Sequence, residues 1–546
     1  MAVKGKKKEF NIAGFMLSLV ADVYILLILA GMPFYFTDGY GRIGTNKYQF
    51  FHGVTVAMGW VLLFVLAFVL LTEICERMGR SKRVRQLEKA SVIAVIRKSM
   101  SRTDWFALGY GAALTLSYLH SAYRDETPYG DAWAGSNGWY MGFATQMMFL
   151  AIYFAVSRCW KPRKWILCAG MAASFIVFLL GYCNRFSIYP IKMEYANVSF
   201  ISTIGNINWF CGYAVTVFFG GLYYWWAGEV KNPWIRAGLA AYCLVGFGAL
   251  TTQGSSSGLM ALIIMCVVLY LLSMRQGEKM QRFWLLMMLL GATCTMTLLL
   301  RYVFPERFLF QDTVTDIFTY SIVPVFVLMI SVVMYLLVGT WNRKGKYPEK
   351  VFLWVGRVGV AAAVILTAIV VIAIAVNTLV PGSLGEMSEV SFLTFNENWG
   401  SYRGATYMAG IQVWMEQDIS GKMVGVGPDC MAMYIHGGNN QELMAMVQKI
   451  WGESVMLTNA HCEWLTMLVN VGVLGLIGFA GMIVSAIVRF MKAGKTSAIA
   501  AACGMSILAY TVNNMVSFQQ AMATTIMFVI LGIGEAHMRR EERKES

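Results

Sequence analysis

Residues 396–430 read NENWGSYRGATYMAGIQVWMEQDISGKMVGVGPDC, and residues 458–479 read TNAHCEWLTMLVNVGVLGLIGF. The first stretch follows a long apolar run, and the second leads from a histidine into another apolar run. Apolar runs of this length predict membrane-spanning helices. We therefore expect the chain to leave the bilayer between residues 381 and 461 and to carry Arg403 and His461 on this one loop.

The composition of the chain is that of a membrane protein. Of its 546 residues, 58% are hydrophobic and 14% are charged, whereas soluble proteins contain about 25% charged residues. Apolar windows of membrane-spanning length lie near 12–33, 51–74, 105–122, 139–157, 165–184, 208–228, 236–252, 258–274, 283–303, 319–340, 352–380, 462–488, 497–516 and 518–536. We predict an all-α polytopic membrane protein with about 14 transmembrane helices.

Three regions follow from these windows. Residues 1–380 form an N-terminal transmembrane region of about 11 spans, with a basic cytoplasmic segment at 75–104. Residues 381–461 form an extracytoplasmic loop with short helices, and residues 462–546 add about three spans and a cytoplasmic tail. The basic segment fits an interfacial amphipathic helix and a solvated linker equally well.

The positive charge of the chain follows the membrane topology. Lys and Arg number 44 against 30 Asp and Glu, a net charge of +14. Most of the basic residues lie at the two termini and in alternate connections between spans, such as 75–104 and 343–350. Because cytoplasmic connections are enriched in Lys and Arg, we place both termini in the cytoplasm and the long loop outside. The excess charge then attracts anionic lipids and does not indicate nucleic acid.

The sequence predicts no metal site and no cofactor. The five histidines include no HxxH or HExxH spacing, and the eleven cysteines include no CxxC pair, so the usual metal-ligand patterns are missing. Gly39-x-Gly41-x-x-Gly44 matches a dinucleotide fingerprint, but that pattern indicates a site only between a strand and a helix. Here it falls in a predicted loop after the first span.

Arg403 and His461 are the two candidates for chemistry on the loop. The planar guanidinium of an arginine suits phosphate because it makes two parallel charge-assisted bonds. A neutral imidazole at the rim of the bilayer can accept a proton from a sugar hydroxyl near neutral pH. The alternatives are an interface anchor for Arg403 and a head-group contact at a helix start for His461.

Two polar clusters interrupt the apolar spans. The turn at 252–258 places Ser255, Ser256 and Ser257 at membrane depth, which is tolerated only where the backbone is buried in protein or lines a wet cavity. Asn206 and Asn208 lie at the predicted outer mouth of the sixth span. The alternative role of these asparagines is helix capping.

Four patterns in this order resemble the superfamily of bacterial O-antigen ligases and O-antigen polymerases. They are Gly-Asn-x-Asn-Trp at 205–209, a Ser/Gly-rich turn before an apolar span at 254–262, Trp-Gly-x-x-Arg-Gly leading to Gly-x-Gly-Pro-Asp at 399–429, and a histidine that opens a span with Gly-Val-Leu-Gly-Leu at 461–476. The resemblance covers about 200–490; the first five spans match only in hydropathy.

The resemblance implies a glycosyltransferase C-type membrane fold and transfer of a glycan from an undecaprenyl-diphosphate donor outside the cytoplasmic membrane. It implies that His461 is the catalytic histidine and that Arg403 contacts the donor diphosphate. The chain departs from the family at two positions: Ser256 stands where the family usually has arginine, and Cys462 follows the histidine where asparagine is common. Arg185 and Arg301 are candidates to replace the missing arginine.

Our hypothesis is a metal-independent glycosyltransferase of cell-surface polysaccharide biosynthesis, in which Arg403 stabilises the leaving diphosphate and His461 deprotonates the acceptor hydroxyl. Its expected partners are the lipid-linked donor, a glycan or other surface acceptor, and membrane lipids. Aromatic side chains of the loop are candidates to stack on sugars or to fix the loop, namely Trp399, Tyr402 and Tyr407. Glu453 and Glu463 are candidates to orient the histidine, although solvation explains a loop glutamate equally well.

Two other classes remain open. A lipid-linked oligosaccharide flippase would need polar residues along a lumen and two pseudo-repeated halves, whereas this chain has one large loop and unequal halves. A non-catalytic member of the same superfamily is the second alternative, and Ser256 at the arginine position favours it. Ligase and polymerase activity cannot be separated, because both use the same chemistry.

Overall fold

The computed structural model describes residues 12–78, 100–438, 440–453 and 455–545. Most of these residues are helical. The α-helices are α1 (Ile12–Leu26), α2 (Ile43–Met78), α3 (Arg102–His120), α4 (Phe143–Cys159), α5 (Lys164–Arg185), α6 (Ile207–Ala227), α7 (Pro233–Thr252), α8 (Ser256–Ser273), α9 (Gly277–Val303), α10 (Thr313–Thr319), α11 (Val323–Arg343), α12 (Glu349–Leu379), α13 (Trp399–Glu416), α14 (Ile419–Val424), α15 (Met431–His436), α16 (Gln441–Trp451), α17 (Glu463–Lys492), α18 (Ala498–Asn513) and α19 (Ala521–Glu545). Strands within the described ranges form two antiparallel hairpins, β1 (Gly130–Asp131) with β2 (Gly135–Ser136) and β3 (Phe200–Ile201) with β4 (Gly205–Asn206).

Ten helical segments among the described residues are long and apolar enough to cross a membrane. Each of the fourteen predicted windows coincides with a helix. However, α4 and α18 are short, and α3 and α6 are outside the set of ten. The fold is therefore that of an all-α polytopic membrane protein, while the span count of fourteen stays a prediction. The predicted basic segment at 75–104 lies mostly outside the described residues.

The outer surface of the bundle is apolar. Along α12 only Phe352, Gly356 and Asn377 are buried, and Leu366 and Ile372 of the same helix are 62% and 60% exposed. A soluble protein does not leave a whole apolar helix in water. Such a surface is stable when lipid surrounds it.

The last helix, α19, lies in the centre of the bundle. It contacts α4, α6 and α18, and most of its apolar window is buried within the protein. Phe528 of α19 stacks on Phe149 of α4 with ring centroids 5.1 Å apart. Aromatic pairs of this kind contribute about 0.5–1.5 kcal/mol beyond the area they bury.

Buried ion pairs hold several helices together at one end of the bundle. This end, called the basic end below, also carries the connections at 158–164, 228–232 and 343–350. Asp104, at the start of α3, is fully buried and pairs with Arg158 of α4 (3.0 Å) and with Arg539 of α19. Glu535 of α19 pairs with Arg489 of α17 at 3.2 Å. Burying a carboxylate without such a partner would be costly, so the pairs fix the relative positions of these helices.

The opposite end, called the loop end below, carries the segment between α12 and α17. This segment contains α13 to α16, and its apolar side chains form a small core of their own around Ala409, Val413, Met431, Leu443 and Ala460. This segment therefore forms a compact layer on the bundle, and its place outside the membrane stays a prediction.

Helix α17 is broken at Gly472, which has φ +65° and ψ −170°. The break frees backbone carbonyls, and those of Val469 and Asn470 accept hydrogen bonds from the backbone N–H groups of Val426 and Gly427 at 3.0 Å each. A Cβ atom at Gly425 would lie 2.4 Å from the backbone of Asn470. The Gly-x-Gly-Pro-Asp motif is therefore required for close packing against the broken helix.

Candidate active site

The guanidinium of Arg403 is held by two backbone carbonyls. Gly400, Ser401 and Tyr402 have φ angles of 59°, 60° and 68°, so α13 becomes regular only at Arg403. Arg403 Nη1 donates to the Gly400 carbonyl at 2.9 Å, and Nε donates to the Val516 carbonyl at 3.2 Å. The side chain is half-buried and remains partly accessible to a ligand.

His461 precedes α17 in a left-handed backbone conformation with φ +49°. Its N–H donates to Asn459 Oδ1 at 3.0 Å, which stabilises this turn locally. The imidazole stacks on the ring of Phe518 with centroids 5.0 Å apart. Strained backbone of this kind is common at functional sites, and here it points the ring of His461 toward the 514–520 loop.

Residues 514–520 join α18 to α19 and bring the two candidates together. The loop provides the Val516 carbonyl for Arg403 and the Phe518 ring for His461. A further link is made by Thr406, whose hydroxyl donates to the Ala460 carbonyl at 3.0 Å. The helix that carries Arg403 is thus bonded to the residue before His461.

The carboxylate of Glu463 fixes the 514–520 loop. It is 1% exposed and accepts hydrogen bonds from Asn514 Nδ2 (2.7 Å), Gln519 Nε2 (2.8 Å) and the hydroxyl of Tyr510 (3.1 Å). The backbone N–H of Glu463 also donates to the Asn514 carbonyl at 3.0 Å. Glu463 was a candidate to orient His461 directly; its hydrogen bonds described here go to the loop and to α18.

Burial sets the protonation state of His461. Together with the smaller effect of the nearby Arg403 guanidinium, burial lowers the pKa of the imidazole from its usual 6.5 to about 4. Both effects disfavour the imidazolium form. The ring is therefore neutral at physiological pH and has a nitrogen lone pair available to accept a proton.

The turn at 252–258 lies buried beside this network. Asn514 accepts a hydrogen bond from Asn513 (2.8 Å), Asn513 accepts one from the Cys211 thiol (3.2 Å), and that thiol lies 3.5 Å from the hydroxyl of Ser257. The hydroxyls of Ser257 and Ser255 are 2.8 Å apart. Ser256 is the first residue of α8 and its side chain is exposed.

Of the two arginines considered as replacements at this turn, Arg185 contacts it. Arg185 is 3% exposed, and its guanidinium donates to the carbonyls of Gln253 and Val198, the latter at 2.7 Å. Arg301 is bound elsewhere, because its Nη1 donates to Asp316 Oδ1 at 2.7 Å. Arg185 is therefore the cation at the 252–258 turn.

Asn206 caps α6, since its Oδ1 accepts from the backbone N–H of Asn208 at 2.8 Å. Helix capping is the alternative role predicted from the sequence for Asn206 and Asn208. Trp209, in the same motif, connects it to the site: the rings of Trp209 and Trp139 are 6.0 Å apart, and those of Trp139 and Phe518 are 4.9 Å apart.

The aromatic candidates on α13 pack on the loop itself. Trp399 Nε1 donates to the Phe392 carbonyl at 2.9 Å, and its ring lies 6.2 Å from that of Tyr407. Burial raises the pKa of Tyr407 to about 12. Tyr402 is 47% exposed. Its ring lies edge-on to that of Trp451, with centroids 6.3 Å apart.

Glu453 lies apart from these residues. It is exposed and lines an open cleft with His436 and Tyr129. Like Arg301, Glu453 is therefore a predicted site residue that the structure does not bring to Arg403 and His461.

Asp429 was not among the predicted site residues, although it ends the Gly-x-Gly-Pro-Asp motif. Its Oδ2 accepts hydrogen bonds from the backbone N–H groups of Ser136 (2.8 Å) and Met141 (3.1 Å). Burial raises its pKa to about 7. With Glu463 it lines a cavity of about 30 Å³, which has room for one water molecule. Its left-handed φ of +60° gave no sequence signal.

Within the described ranges, no group of three or more His, Cys, Asp or Glu residues is arranged to hold a metal ion. No protein-family model matches the chain, and no curated protein sequence matches it. What the site can do therefore has to follow from its geometry: a fixed guanidinium and a neutral imidazole share one supporting loop.

Proposed function

We propose that this protein is a metal-independent glycosyltransferase that moves a glycan from an undecaprenyl-diphosphate donor to an acceptor hydroxyl, as O-antigen ligases and polymerases do. The observation that carries the proposal is that Arg403 and His461 rest on the same 514–520 loop. An arginine suited to a diphosphate and an imidazole suited to a hydroxyl proton are the two groups such a transfer needs.

In the proposed reaction, the acceptor oxygen attacks the anomeric carbon of the donor sugar. The bond from that carbon to the diphosphate oxygen breaks, and its electron pair leaves with the lipid diphosphate. Arg403 stabilises the charge that develops there, and His461 takes the proton from the acceptor hydroxyl. A single displacement of this kind inverts the anomeric configuration.

The low pKa of His461 fits a base that gains strength when the donor binds. In the free protein burial lowers this pKa most, and the Arg403 guanidinium lowers it as well. A bound diphosphate would neutralise that charge and so raise the pKa of the imidazole. Proton transfer to His461 would then be more favourable with the donor in place than without it.

The same proposal includes the topology. The protein would lie in the cytoplasmic membrane with fourteen spans, a glycosyltransferase C-type fold and both termini in the cytoplasm, and the loop end would face outward. The support is the concentration of Lys and Arg in the connections of the basic end.

Arg185 is the proposed replacement for the arginine that the family has at the position of Ser256. Its contact with the Gln253 carbonyl puts a positive charge against the same turn. From there Arg185 would attract the donor diphosphate electrostatically or stabilise the conformation of the turn.

The test of the proposed function is deletion of the gene, followed by sizing of the surface glycan and of the lipid-linked pool. Accumulation of single lipid-linked repeats would indicate a polymerase, and accumulation of complete untransferred chains would indicate a ligase. A lipid-linked pool that stays on the inner face, with its glycan unchanged in length, would instead indicate a transporter and contradict the proposal.

A further inference from the structure

A largely apolar cavity of about 450 Å³, open at one end, lies between α5, α6, α7, α18 and α19, away from the candidate active site. Its volume is within the range of roughly 300–1,000 Å³ that is typical of ligand sites. Aliphatic side chains form much of its wall, among them Leu167, Val217, Ile499, Ile530 and Ile533. The cavity opens toward the basic end of the bundle.

Two of the hydroxyls in the wall are already hydrogen-bonded within the protein. The Ser174 hydroxyl donates to the Met171 carbonyl at 2.9 Å, and the hydroxyl of Tyr242 donates to the Val217 carbonyl at 3.1 Å. Water is stable in a cavity only when it has several polar partners. The interior therefore fits a long apolar group better than water.

The mouth of the cavity is charged. Lys164 is the first residue of α5, and Lys231 lies in the connection between α6 and α7; both are exposed. Glu229 lies at the mouth as well, so two positive charges and one negative charge surround the opening. Among the described residues neither ammonium group is in an ion pair.

We propose that this cavity binds one anionic phospholipid, with an acyl chain in the apolar interior and the head-group phosphate between Lys164 and Lys231. The bilayer around the bundle supplies such a molecule at high local concentration. The net positive mouth favours an anionic head group over a zwitterionic one, by about fivefold in affinity for each lysine near the membrane surface. The proposal is independent of glycan transfer.

The test uses the full chain, purified in a non-ionic detergent and stripped of lipid, with phosphatidylglycerol or phosphatidylcholine of identical acyl chains added back. Native mass spectrometry counts the bound lipid. We expect wild-type protein to retain phosphatidylglycerol preferentially, and the Lys164→Gln/Lys231→Gln variant to lose about 25-fold in apparent affinity for it. The matched control, Lys344→Gln/Lys346→Gln, removes the same charge from exposed residues of the same end and should bind as wild type does.

A second variant tests the interior. Val217→Phe fills the cavity and should lower the occupancy of both lipids, whereas Val333→Phe, on the exposed face of α11, should not. Equal binding of the two lipids with no effect of the lysine pair would overturn the proposal. So would full occupancy in Val217→Phe. Because the measurement involves no glycan, its result tests the lipid site independently of the proposed transferase activity.

Discussion

The imidazole of His461 stacks on the ring of Phe518, with centroids 5.0 Å apart and planes inclined by 28°. Two residues earlier, the Val516 carbonyl accepts a hydrogen bond from Arg403. The 514–520 loop therefore acts as a common support for the side chain of Arg403 in α13 and that of His461, which precedes α17. In the proposed transferase, the position of this loop would set the distance between the donor diphosphate and the acceptor hydroxyl.

Phe518→Ala should lower glycan transfer by about 10- to 100-fold, since a displacement of roughly 1 Å can cost that much in rate. The substitution removes the ring that stacks on His461 and contacts Trp139 edge-on. Phe518→Tyr keeps an aromatic ring and should retain most of the activity. The measurement is the initial rate with purified donor and acceptor; equal rates for Phe518→Ala and wild type would show that the stack does not position the base.

Glu463→Gln should destabilise the protein by about 1–3 kcal/mol. One carboxylate oxygen would become an amide NH₂ group, which cannot accept the hydrogen bond that a neighbouring donor now gives to that oxygen. The matched control is Glu453→Gln, at an exposed position away from the site, which should change stability by no more than about 0.5 kcal/mol. Thermal unfolding in detergent measures both. Similar midpoints for the two variants would contradict the role assigned to Glu463 in holding the loop.

The pH dependence follows from His461. Its folded-state pKa of about 4 lies below the usual value of 6.5, so between these values the unfolded chain binds more protons. The stability that burial of the neutral ring contributes is complete above about pH 6.5 and is lost as the pH falls toward 4. His461→Phe keeps a ring but cannot titrate, so its unfolding midpoint should fall less than that of wild type over this range. If the unfolding midpoints of wild type and His461→Phe changed in parallel with pH, His461 would not be buried in the neutral form.

Arg185→Gln should destabilise the 252–258 turn, because the guanidinium bridges the carbonyls of Val198 and Gln253. Each unsatisfied buried carbonyl costs about 1–3 kcal/mol. The control Arg307→Gln changes an exposed arginine and should leave the unfolding midpoint unchanged. Loss of transfer without any loss of stability in Arg185→Gln would indicate instead that Arg185 contacts the donor directly.

The sequence predicts the helices well because a membrane span requires a long run of consecutive apolar residues, which can be recognised without knowing its tertiary contacts. Each predicted window coincides with a helix, and most residues of the turn at 252–258 are buried. Arg403 and His461 could be assigned to one loop because that loop is continuous in the sequence.

The support of the site could not be predicted from the sequence in the same way. The contact between Arg403 and Val516 joins residues more than a hundred positions apart and depends on how α13, α17 and α18 pack. The pattern at 514–520 shows only a polar interruption between two apolar runs. The role of Glu463 likewise depends on partners in α18 and the loop, and the buried Asp429 is fixed by a hairpin near residue 136.

The central claim is that His461 is the base of a glycan transfer from a lipid diphosphate. The most direct measurement is the transfer rate of His461→Ala, reconstituted with the lipid-linked donor, together with a check that the variant is folded and inserted. We expect loss of transfer of at least about 100-fold with accumulation of unreacted donor, and the same outcome for Arg403→Ala. Full transfer by a folded His461→Ala would contradict the account.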